Sequence, residues 1–575
     1  MRWQQFFFDA IDFVRRRGVS DSPHDTLRPR LRFAVLCDSP LLERWQVAAL
    51  RELQASGDSN PVAVVVAENR LPKTASDRGA FQSFIQPSER ELADSIDDFF
   101  RSAGAVVPSL KLDVGGERTS SEGTNQRNAL ATLGLDFILY LGFGPCDAEL
   151  SRFAVRGLWR FRFGDVSKYA NYPPGVWEIV SGDPVTVAVL CSQQPGGRDA
   201  IVLRSGVFAT NMHQSNANAA QVLAEISHWP AYIARIVRLG HLDEDGVRIE
   251  LPAVPFPVLP ELGVRARLAW CLLKHKIARL PNLFFDDEWN VGLVDEPIHG
   301  FLQPNASRRA SWFPNRDRNQ YLADPMGSFV DGKRVVLCES YDYKTRLGSL
   351  SSLGIDDRGW IPSVSRAIPT SVHVSYPYLF KVNDDLYCVP ETSQARETAL
   401  YRLTIIPNGY QPVRVLLPGF ACLDPTLFEY ADRWWLFCTD AADGEHTKLH
   451  VWFASDLLGE FVPHPLNPVK IDVRSARPAG TPFVHEGRLY RPSQDSSRTY
   501  GGAVTINEIT RLTPTHFQER AVASVRPIPR SGYEFGLHTL SSLGDMTLID
   551  SKRRIFTGGG LREKIDSVLA RIFRR

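Results

Sequence analysis

The feature that most constrains this chain is a hairpin motif that recurs five times in its C-terminal half. Each copy has a small or polar start, an apolar arm, a tight polar turn and a second apolar arm. The copies begin at Asp324-Pro325, Tyr376-Pro377, Asp424-Pro425, Thr481-Pro482 and His538-Thr539. Measured at the second residue of each pair, the spacings are 52, 48, 57 and 57 residues. A period of this length that carries β-hairpins predicts a β-propeller with five blades.

The turns of the five hairpins have suitable chemistry, because Gly, Asn and Asp tolerate the positive φ that tight hairpin turns require. They fall at Asp331-Gly332, Asp384-Asp385, Ala431-Asp432, Glu486-Gly487 and Gly544-Asp545. An apolar strand at 284–294 is expected to begin the propeller, which we place at 284–555. The stretch from 284 to Asp550, divided by five, has about 53 residues per blade, which fits four short strands and their loops.

The N-terminal half has a different pattern, in which strands alternate with helices. Strands are predicted at 32–38, 60–68 and 135–144, and helices at 39–56 and 221–242. This order indicates a parallel sheet in an α/β domain at 31–235. A helical connector at 236–283, with a helix at 265–280, would lead to the propeller. The fold class is therefore multidomain, α/β followed by all-β. No GxGxxG or GxxxxGK[ST] motif is present, so no nucleotide or other cofactor is predicted.

Composition excludes several classes of partner. The 66 basic and 65 acidic side chains give a net charge of +1, so no field would attract nucleic acid. The eight cysteines have no CxxC or metal-ligand spacing, which predicts buried free thiols and no metal site. No apolar run of ~18 residues is present, and the first 18 residues carry charges where a secretory leader would be apolar. We therefore expect a cytoplasmic protein.

Both ends of the chain are amphipathic. Residues 1–30 contain one short apolar-faced segment, and residues 556–575 form a basic tail. Such segments can rest on an anionic membrane surface. Peripheral contact with the inner face of a membrane through these terminal segments is thus an alternative to docking on the protein itself. The oligomeric state is not indicated.

The string GLWRFRFGDVSKYANYPPGVWEIVSGDPVTVAVL (157–190), followed by GGRDAIVLRSG (196–206), resembles the N-terminal domain of formyltransferases, a Rossmann-like α/β fold. The resemblance puts that family's catalytic His at Arg162, a loop Gly at Asn171 and its Asp at Asp199, without a counterpart of its catalytic Asn. Arginine stays protonated and cannot act as the base that formyl transfer needs. A structural or binding role is expected, or a pocket in which Arg162 holds a phosphate or carboxylate.

Polar residues at the start of each blade's first strand should gather at one mouth of the propeller channel. These are Asp324, His373, Tyr376, Asp424, Arg477 and His538. Asp-Pro pairs commonly cap turns, but two of them at the same phase of the repeat favour a functional role for Asp324 and Asp424. Tyr376 is the aromatic residue most suited to stacking on a sugar ring.

A second ring of carboxylates lies at the far ends of the hairpins. Of its members, Glu391 and Asp495 stand beside apolar strands and are candidate acids. The other two, Glu339 and Asp550, are expected to be solvated or paired with neighbouring arginines.

The two Asp-Pro pairs resemble those of five-bladed glycoside hydrolases such as arabinanases and β-xylosidases. This resemblance implies that Asp324 is a general base and that Asp424 tunes the pKa of the acid. The expected acid is missing, because the chain reads Ala-Gly480-Thr-Pro at that place. Glu391 or Asp495 would have to replace it.

A resemblance over almost all of 284–555 is carried by seven ordered strings. They are HVSYPYLF, VPET, DPTLFEYADRWWLF, ARPAGTPF, LYRPSQD, YGGAVTINEITRLT and GLHTL. They are similar to the N-terminal propeller domain of plant glucosamine inositolphosphorylceramide transferases and bacterial relatives. In the plant enzymes a separate glycosyltransferase domain, without a counterpart in these 575 residues, is expected to transfer the sugar.

Three functions remain open. The first is a carbohydrate-active protein that binds or acts on a glycan, glycolipid or nucleotide sugar in surface polysaccharide or glycolipid metabolism, as a glycoside hydrolase or glycosyltransferase-like enzyme. The second is a non-catalytic glycan-binding or scaffold protein with two degenerate enzyme domains. The third is formyl or acyl transfer to an amino sugar by the N-terminal domain. The retained channel residues favour the first, since buried carboxylates are costly to keep without a purpose.

Overall fold

The structure is a computed structural model, and it describes most of the chain. The described residues are 28–68, 92–102, 104, 107–113, 127–142, 147–165, 174–195, 199–242, 247–250, 261–304, 307–314, 319–368, 371–405 and 409–557. Nearly all of the terminal segments 1–30 and 556–575, and the loop residue Asn171, lie outside them. In the described part of the chain, no helix is long and apolar enough to cross a membrane.

The described part of the N-terminal domain includes ten strands and five helices. The strands are β1 (Leu31–Cys37), β2 (Leu41–Glu43), β3 (Ser59–Glu68), β4 (Leu92–Ser95), β5 (Ser109–Asp113), β6 (Phe137–Tyr140), β7 (Leu158–Phe163), β8 (Val185–Gln193), β9 (Asp199–Ala209) and β10 (Arg248–Glu250). The helices are α1 (Arg44–Ser56), α2 (Ile96–Ser102), α3 (Val176–Ser181), α4 (Ser215–Ile226) and α5 (Trp229–Leu239), with a 3₁₀ turn at Ala148–Phe153.

Eight of these strands form one mixed sheet in the order β10-β9-β8-β7-β6-β1-β3-β5. From β7 through β6, β1 and β3 to β5 the strands pair in parallel, which is the pairing predicted for the strands at 32–38, 60–68 and 135–144. From β7 to β10 the pairing is antiparallel. One face is buried by apolar side chains of α1, α4 and α5, in a core that includes the ring stack of Phe137 on Trp159.

Two predicted helices differ from the observed ones. The helix predicted at 39–56 begins only at Arg44, because Leu41–Glu43 pairs with β4 as an antiparallel strand. The helix predicted at 221–242 is two helices, α4 and α5. Pro230, which lacks an N–H group, stands in the first turn of α5 and suits the start of a new helix. The connector helix, α6 (Glu261–Ala278), is observed close to its predicted place.

The propeller follows a 3₁₀ turn at Leu280–Leu283, and its described residues form 21 strands, β11 to β31. The first ten are β11 (Phe285–Val294), β12 (Ala310–Trp312), β13 (Gln320–Val330), β14 (Lys333–Asp342), β15 (Leu347–Asp356), β16 (Gly359–Arg366), β17 (Ser375–Val382), β18 (Asp385–Glu391), β19 (Glu397–Ile405) and β20 (Gly409–Pro418). The rest are β21 (Cys422–Glu429), β22 (Trp434–Asp440), β23 (Lys448–Ala454), β24 (Val462–Pro463), β25 (Lys470–Ile471), β26 (Phe483–His485), β27 (Arg488–Asp495), β28 (Ala503–Leu512), β29 (Phe517–Val525), β30 (Leu540–Leu543) and β31 (Met546–Phe556).

The strands form five antiparallel sheets, and this confirms the five-bladed propeller. Four blades are consecutive: β13–β16, β17–β20, β21–β24 with β25 beside β23, and β26–β29. The fifth blade has the order β12-β11-β31-β30, so its two outer strands come from the start of the propeller and its two inner strands from the end. Ten residue pairs join β11 to β31, and this pairing closes the ring.

The N-terminal domain contacts the third blade. The Tyr232 hydroxyl donates to the carbonyl oxygen of Leu466 at 2.9 Å, and Nζ of Lys448 lies 2.6 Å from Oε2 of Glu225. Both side chains of this ion pair are largely buried, which makes it less sensitive to salt than a surface pair.

A buried ion pair in the fourth blade holds the segment that enters the channel. Arg491, on β27, is fully buried and donates to both carboxylate oxygens of Glu519, at 3.0 and 2.7 Å. The same guanidinium donates to the carbonyl oxygens of Ser475 and Ala476, at 2.7 and 3.2 Å. Arg477 follows directly in the chain, so this network fixes the backbone from which its side chain extends.

We expect Arg491→Ala to lower the free energy of unfolding by about 3–5 kcal/mol, because it leaves the Glu519 carboxylate buried without its main partner. Arg488→Ala is the matched control on the same strand. Its side chain is 59% exposed and lies 3.9 Å from Glu508, so a change below about 0.5 kcal/mol is expected. Urea denaturation measures both values. Equal losses in the two variants would contradict the role of the buried pair.

Candidate functional site

The innermost strand bulges in three blades, each time at a residue that precedes proline. The bulges lie at Asp324 in β13, Tyr376 in β17 and Asp424 in β21, where φ is 50°, 44° and 49°. Proline has no N–H group to give to the neighbouring strand, so pairing is interrupted there, and a bulge changes the direction of a side chain. The Asp-Pro pairs thus place two carboxylates in the channel, where Asp324 is 5% and Asp424 2% exposed.

The second strands of three blades add further carboxyl groups. Glu391 ends β18, as predicted, and is buried. Glu339 on β14 and Asp550 on β31 were expected to be solvated or paired with arginine, and this expectation is wrong. Glu339 is 6% and Asp550 0% exposed, because their strands place both side chains toward the channel and not at the rim.

Asp550 joins the first and fifth blades. Its Oδ1 accepts the backbone N–H groups of His538 and Thr539, at 3.1 and 3.0 Å, and its Oδ2 accepts that of Asp324, at 2.9 Å. The His538 ring stacks on Trp289, with 4.0 Å between ring centroids. Its Nδ1 lies 2.6 Å from Asp550 Oδ2, and its Nε2 lies 3.5 Å from Asp324 Oδ1. Burial alone would lower the pKa of His538, but Asp550 and Asp324 outweigh it and raise that pKa.

Asp424 is held by side chains from the fourth blade. Nε of Arg477 donates to its Oδ2 at 2.5 Å, and Nε2 of Gln494 donates to the same oxygen at 2.7 Å. The backbone N–H of Asp424 donates to Oε2 of Glu391 at 3.1 Å, and Nη2 of Arg477 lies 3.8 Å from that oxygen. Asp424 is thus an ion-paired carboxylate placed directly against Glu391.

Glu391 and Glu339 hold their protons more tightly than ordinary glutamates. Burial, and then the charge of Asp424, raise the pKa of Glu391 from 4.5 to about 8, against the opposite pull of Arg477. Burial, together with the surrounding carboxylates, raises the pKa of Glu339 well above its usual range. With a pKa of about 8, Glu391 is a carboxylic acid at neutral pH, and the pKa of Glu339 is shifted in the same direction.

The pKa of Asp324 is raised less than that of Glu391. Burial raises its pKa to about 6, with further increases from Asp424 and Asp550, while His538 and Arg477 act in the opposite direction. At neutral pH it is mostly ionised, and it accepts a hydrogen bond from the Thr539 hydroxyl at 3.1 Å. The cluster therefore contains protonated and ionised carboxyl groups side by side.

The two other predicted binding residues have different surroundings. His373 is half-buried, accepts the N–H of Gly348 at Nδ1 and has Nε2 at 3.7 Å from Glu339. Burial lowers its pKa, so it is a neutral ring that can donate from Nε2. Tyr376 is fully buried, and its hydroxyl lies 2.9 Å from that of Thr426. It offers no exposed ring face for a sugar.

The exposed aromatic residue at this mouth is Tyr500, in the loop after β27, and the sequence analysis did not single it out. It is 40% exposed, and its ring lies 5.4 Å from the Arg477 guanidinium. It also makes edge-on contacts with His538 and Trp289. The signal available was its place in the string YGGAVTINEITRLT, which carried the family resemblance.

Asp495 was predicted as a candidate acid, but its neighbour Gln494 reaches the cluster instead. Successive side chains of a strand face opposite ways, and on β27 it is Gln494 that contacts Asp424. Asp495 is half-buried and accepts the N–H of Ser497 at 3.0 Å, as a turn-capping residue does. The structure therefore places Gln494 in the cluster and Asp495 beside it.

The predicted pair in the N-terminal domain does not meet. Arg162 on β7 and Ser205 on β9 both pair with Val189, on opposite sides of β8. Asp199 lies six residues before Ser205, which is about 20 Å along the strand at ~3.3 Å per residue, and it is exposed. Arg162 is buried beside Cys191, where it partly offsets the burial that raises the pKa of that thiol. A formyltransferase-type site built from Arg162 and Asp199 is therefore not formed.

Gly480 stands where the glycoside hydrolase resemblance expects the acid, and it has no room for any side chain. Its φ is 113°, and a Cβ atom would lie 1.9 Å from the carbonyl oxygen of Leu540. Its N–H group donates to the Tyr376 hydroxyl at 2.7 Å. The buried acids of the cluster, Glu339 and Glu391, come instead from second strands.

One trio could in principle hold a cation. Asp324, His538 and Asp550 each offer one ligand atom, and these atoms lie within 4.8 Å of one another. Both oxygens of Asp550 already accept backbone N–H groups. Hydrogen bonds and ion pairs therefore account for the arrangement of these three side chains.

We expect Glu391→Gln to flatten the dependence of stability on pH. The folded protein holds the Glu391 proton more tightly than the unfolded chain does, so this contribution to stability is complete below about pH 4.5 and is lost as the pH rises toward 8. At about pH 9 the variant should be more stable than the wild type by a few kcal/mol. Glu397→Gln, at an exposed position, is the control. Parallel stability–pH curves for all three proteins would contradict the raised pKa.

We expect Gly480→Ala to lower the free energy of unfolding by about 3 kcal/mol or more, since it adds both a clash and backbone strain. Gly332→Ala also changes a glycine at positive φ, but nothing lies within 4 Å of the added Cβ, so a loss of about 1–2 kcal/mol is expected. Thermal unfolding compares the two variants. Losses of the same size would show that position 480 does have space.

Comparison with known proteins concerns mainly the propeller. Residues 313–532 match the family model described as glucosamine inositolphosphorylceramide transferase 1, N-terminal. The rice protein of that name (Oryza sativa subsp. japonica) is 32% identical over 209 residues, which are 35% of this chain and 28% of the rice protein. The chain therefore matches less than a third of the length of that relative.

Two solved structures are distant likenesses. The catalytic domain of the Coprinopsis cinerea GH62 α-L-arabinofuranosidase is 13% identical and covers 47% of this chain and 98% of its own, with a TM-score of 0.32. Glycinamide ribonucleotide transformylase 1 from Symbiobacterium toebii is 12% identical and covers 39% and 95%, with a TM-score of 0.27. No residue can be transferred at these distances. Over residues 313–532, the propeller of this chain is therefore similar to the N-terminal domain of glucosamine inositolphosphorylceramide transferase 1.

Proposed function

We propose that the channel mouth of the propeller binds a glycan or glycolipid headgroup and acts on its glycosidic bond. One observation carries the proposal. Glu391 and Asp324 lie in one buried cluster, and their pKa values of about 8 and about 6 put them in opposite protonation states near neutral pH. General acid–base cleavage of a glycoside requires two carboxyl groups, one protonated and one ionised, and different pKa values provide them.

In the proposed reaction Glu391 gives its proton to the leaving glycosidic oxygen as the bond between that oxygen and the sugar carbon breaks. A water molecule attacks the same carbon, and Asp324 accepts the proton that the water loses. His538, between Asp550 and Asp324, holds the base in place through its charge. Asp424, fixed by Arg477 and Gln494, keeps the pKa of Glu391 high.

The class of ligand is suggested by the rim and by the relatives. Tyr500 presents an exposed ring above Arg477 and His538, and aromatic rings of this kind pack against the apolar faces of sugars. The relatives are named as transferases of the glucosamine and inositolphosphorylceramide type. Amino sugars and inositol-phosphate headgroups are therefore the first ligands to try.

A second candidate function is glycan binding without catalysis. It is favoured by Gly480, where the acid expected from the glycoside hydrolase resemblance cannot be accommodated. We further infer that the α/β domain is a formyltransferase-like domain without that chemistry, since Arg162 and Asp199 lie far apart along the sheet. Its contacts with the third blade suit a supporting role.

The test is a calorimetric titration with glucosamine, N-acetylglucosamine, inositol phosphate and nucleotide sugars, followed by turnover of the matching glycosides. We expect Asp324→Asn and Glu391→Gln to lower kcat by about 10²–10⁴. Tyr500→Ala should mainly raise KM, because it removes a contact made equally in the ground and transition states.

Asp357→Asn is the matched control, since that side chain is fully exposed. If Asp495→Asn removes turnover while Glu391→Gln does not, our assignment of the acid is wrong. If a sugar binds the wild type and Tyr500→Ala weakens it, but no glycoside is turned over, the binding function replaces the catalytic one.

A further inference from the structure

Helix α6 is attached to the protein by one narrow face only. Val264 and Leu268 are buried against Val176 and Ile179 of α3, and Cys271 packs beside them. The rest of the helix surface is largely open to solvent. The role of a helical connector between two domains does not explain this open side of α6.

The face opposite this attachment carries large apolar side chains. On a helix of about 100° per residue, Trp270, Leu273 and Ile277 lie on one stripe, and Leu280 follows in the 3₁₀ turn. Their exposed fractions are 66%, 50%, 56% and 53%. Soluble monomers rarely expose apolar groups in a contiguous patch without a partner.

Three aromatic rings lengthen the patch at the end of the helix. Phe284, Phe285 and Phe556 are 38%, 40% and 73% exposed. The rings of Phe284 and Phe556 are stacked, with 6.4 Å between their centroids, and Phe556 meets Phe285 edge-on at 5.7 Å. Helix α6 and these rings together form what we call the α6 surface.

Basic side chains border the stripe on both sides. On the helical wheel, Arg267 and Lys274 lie along one edge and Lys276 along the other, and all three are exposed. Residues 261–285 contain five Lys and Arg against one Glu, a net charge of +4. Long cationic side chains can bury their stems at a membrane interface while their charges reach the headgroups.

We propose that the α6 surface docks on an anionic membrane, with its apolar stripe in the headgroup–acyl boundary and its cations on the lipid phosphates. An exposed apolar stripe with Trp, Leu and Phe, bordered by Lys and Arg, is the arrangement of helices that lie in the membrane interface. The negative charges of anionic lipids would pair with the Lys and Arg side chains that border the stripe. Apart from Phe556, the α6 surface lies outside the terminal segments 1–30 and 556–575, and it stands independently of the proposed function.

Charge complementarity favours lipid over the other occupants. A second copy of the chain would bring the same cations against one another. The acidic residues that follow the helix cannot offset this freely, since Asp287 is paired with Lys552 and Glu288 with Arg553. The segment 558–575 has five basic and two acidic residues, a net charge of +3, so it too would add like charge.

The test is cosedimentation of the full chain with vesicles of phosphatidylcholine alone or with phosphatidylglycerol added. We expect binding only to the anionic vesicles, weakening as salt is added. Lys274→Glu with Lys276→Glu should lower the partition coefficient at least about 25-fold, because each lysine near an anionic surface strengthens binding about fivefold and each new glutamate adds repulsion. Trp270→Ser with Leu273→Ser should also lose binding, including at low salt.

Lys333→Glu with Lys381→Glu is the matched control, with the same charge change at exposed positions of two propeller hairpins, and should bind as the wild type does. Thermal unfolding confirms that each variant is folded. The proposal is overturned if the wild type does not bind anionic vesicles or if the α6 variants bind as well as the control. It is also overturned if sedimentation velocity shows a dimer that the α6 variants dissociate.

Discussion

The arrangement of side chains in the channel depends on the side chain of Asp550. This residue lies on β31, the strand that closes the ring, and it accepts backbone N–H groups from the first strands of two blades. The bulge at Asp324 is fixed in this way, and His538 is placed between two carboxylates. A change in ring closure would therefore move the base and its charged neighbour together.

Electrostatic imbalance explains the chemistry of the cluster. Five carboxyl groups are buried there, at Asp324, Glu339, Glu391, Asp424 and Asp550, against the cations of Arg477 and His538. Buried like charges cannot all ionise, so protons remain on some of the acids. Asp424, which has its own guanidinium and amide partners, is stabilised as a carboxylate, and Glu391 beside it keeps its proton. The propeller thus creates acid and base roles from one residue type.

The blade count could be predicted because each hairpin repeats one pattern at a nearly constant spacing. The Asp-Pro pairs could be found for the same reason, since proline marks the bulge in three inner strands. Side-chain direction was harder to predict. Gln494 and Asp495 are neighbours on one strand, so their side chains point to opposite sides of it. Neither hydropathy nor spacing shows which of the two faces the channel.

Contacts between distant parts of the chain could not be predicted from the sequence either. The closure of the fifth blade by β11 joins residues more than 250 positions apart, and the burial of Asp550 on β31 depends on that pairing. In the N-terminal domain, a motif match placed Arg162 and Asp199 in one site, but the register of β8 and β9 separates them. The exposed apolar face of α6 could not be predicted either, because the pattern of apolar residues along a helix does not show which of them the rest of the protein covers.

The central claim is that a buried carboxyl group in the channel, that of Glu391, keeps its proton at neutral pH. Infrared difference spectroscopy of the wild type against Glu391→Gln tests it most directly, because protonated and ionised carboxyl groups absorb differently. The account predicts a protonated-carboxyl band at about pH 7 that titrates away near pH 8 and is missing from the variant. A Glu391 carboxyl that is already ionised at about pH 6 would contradict it.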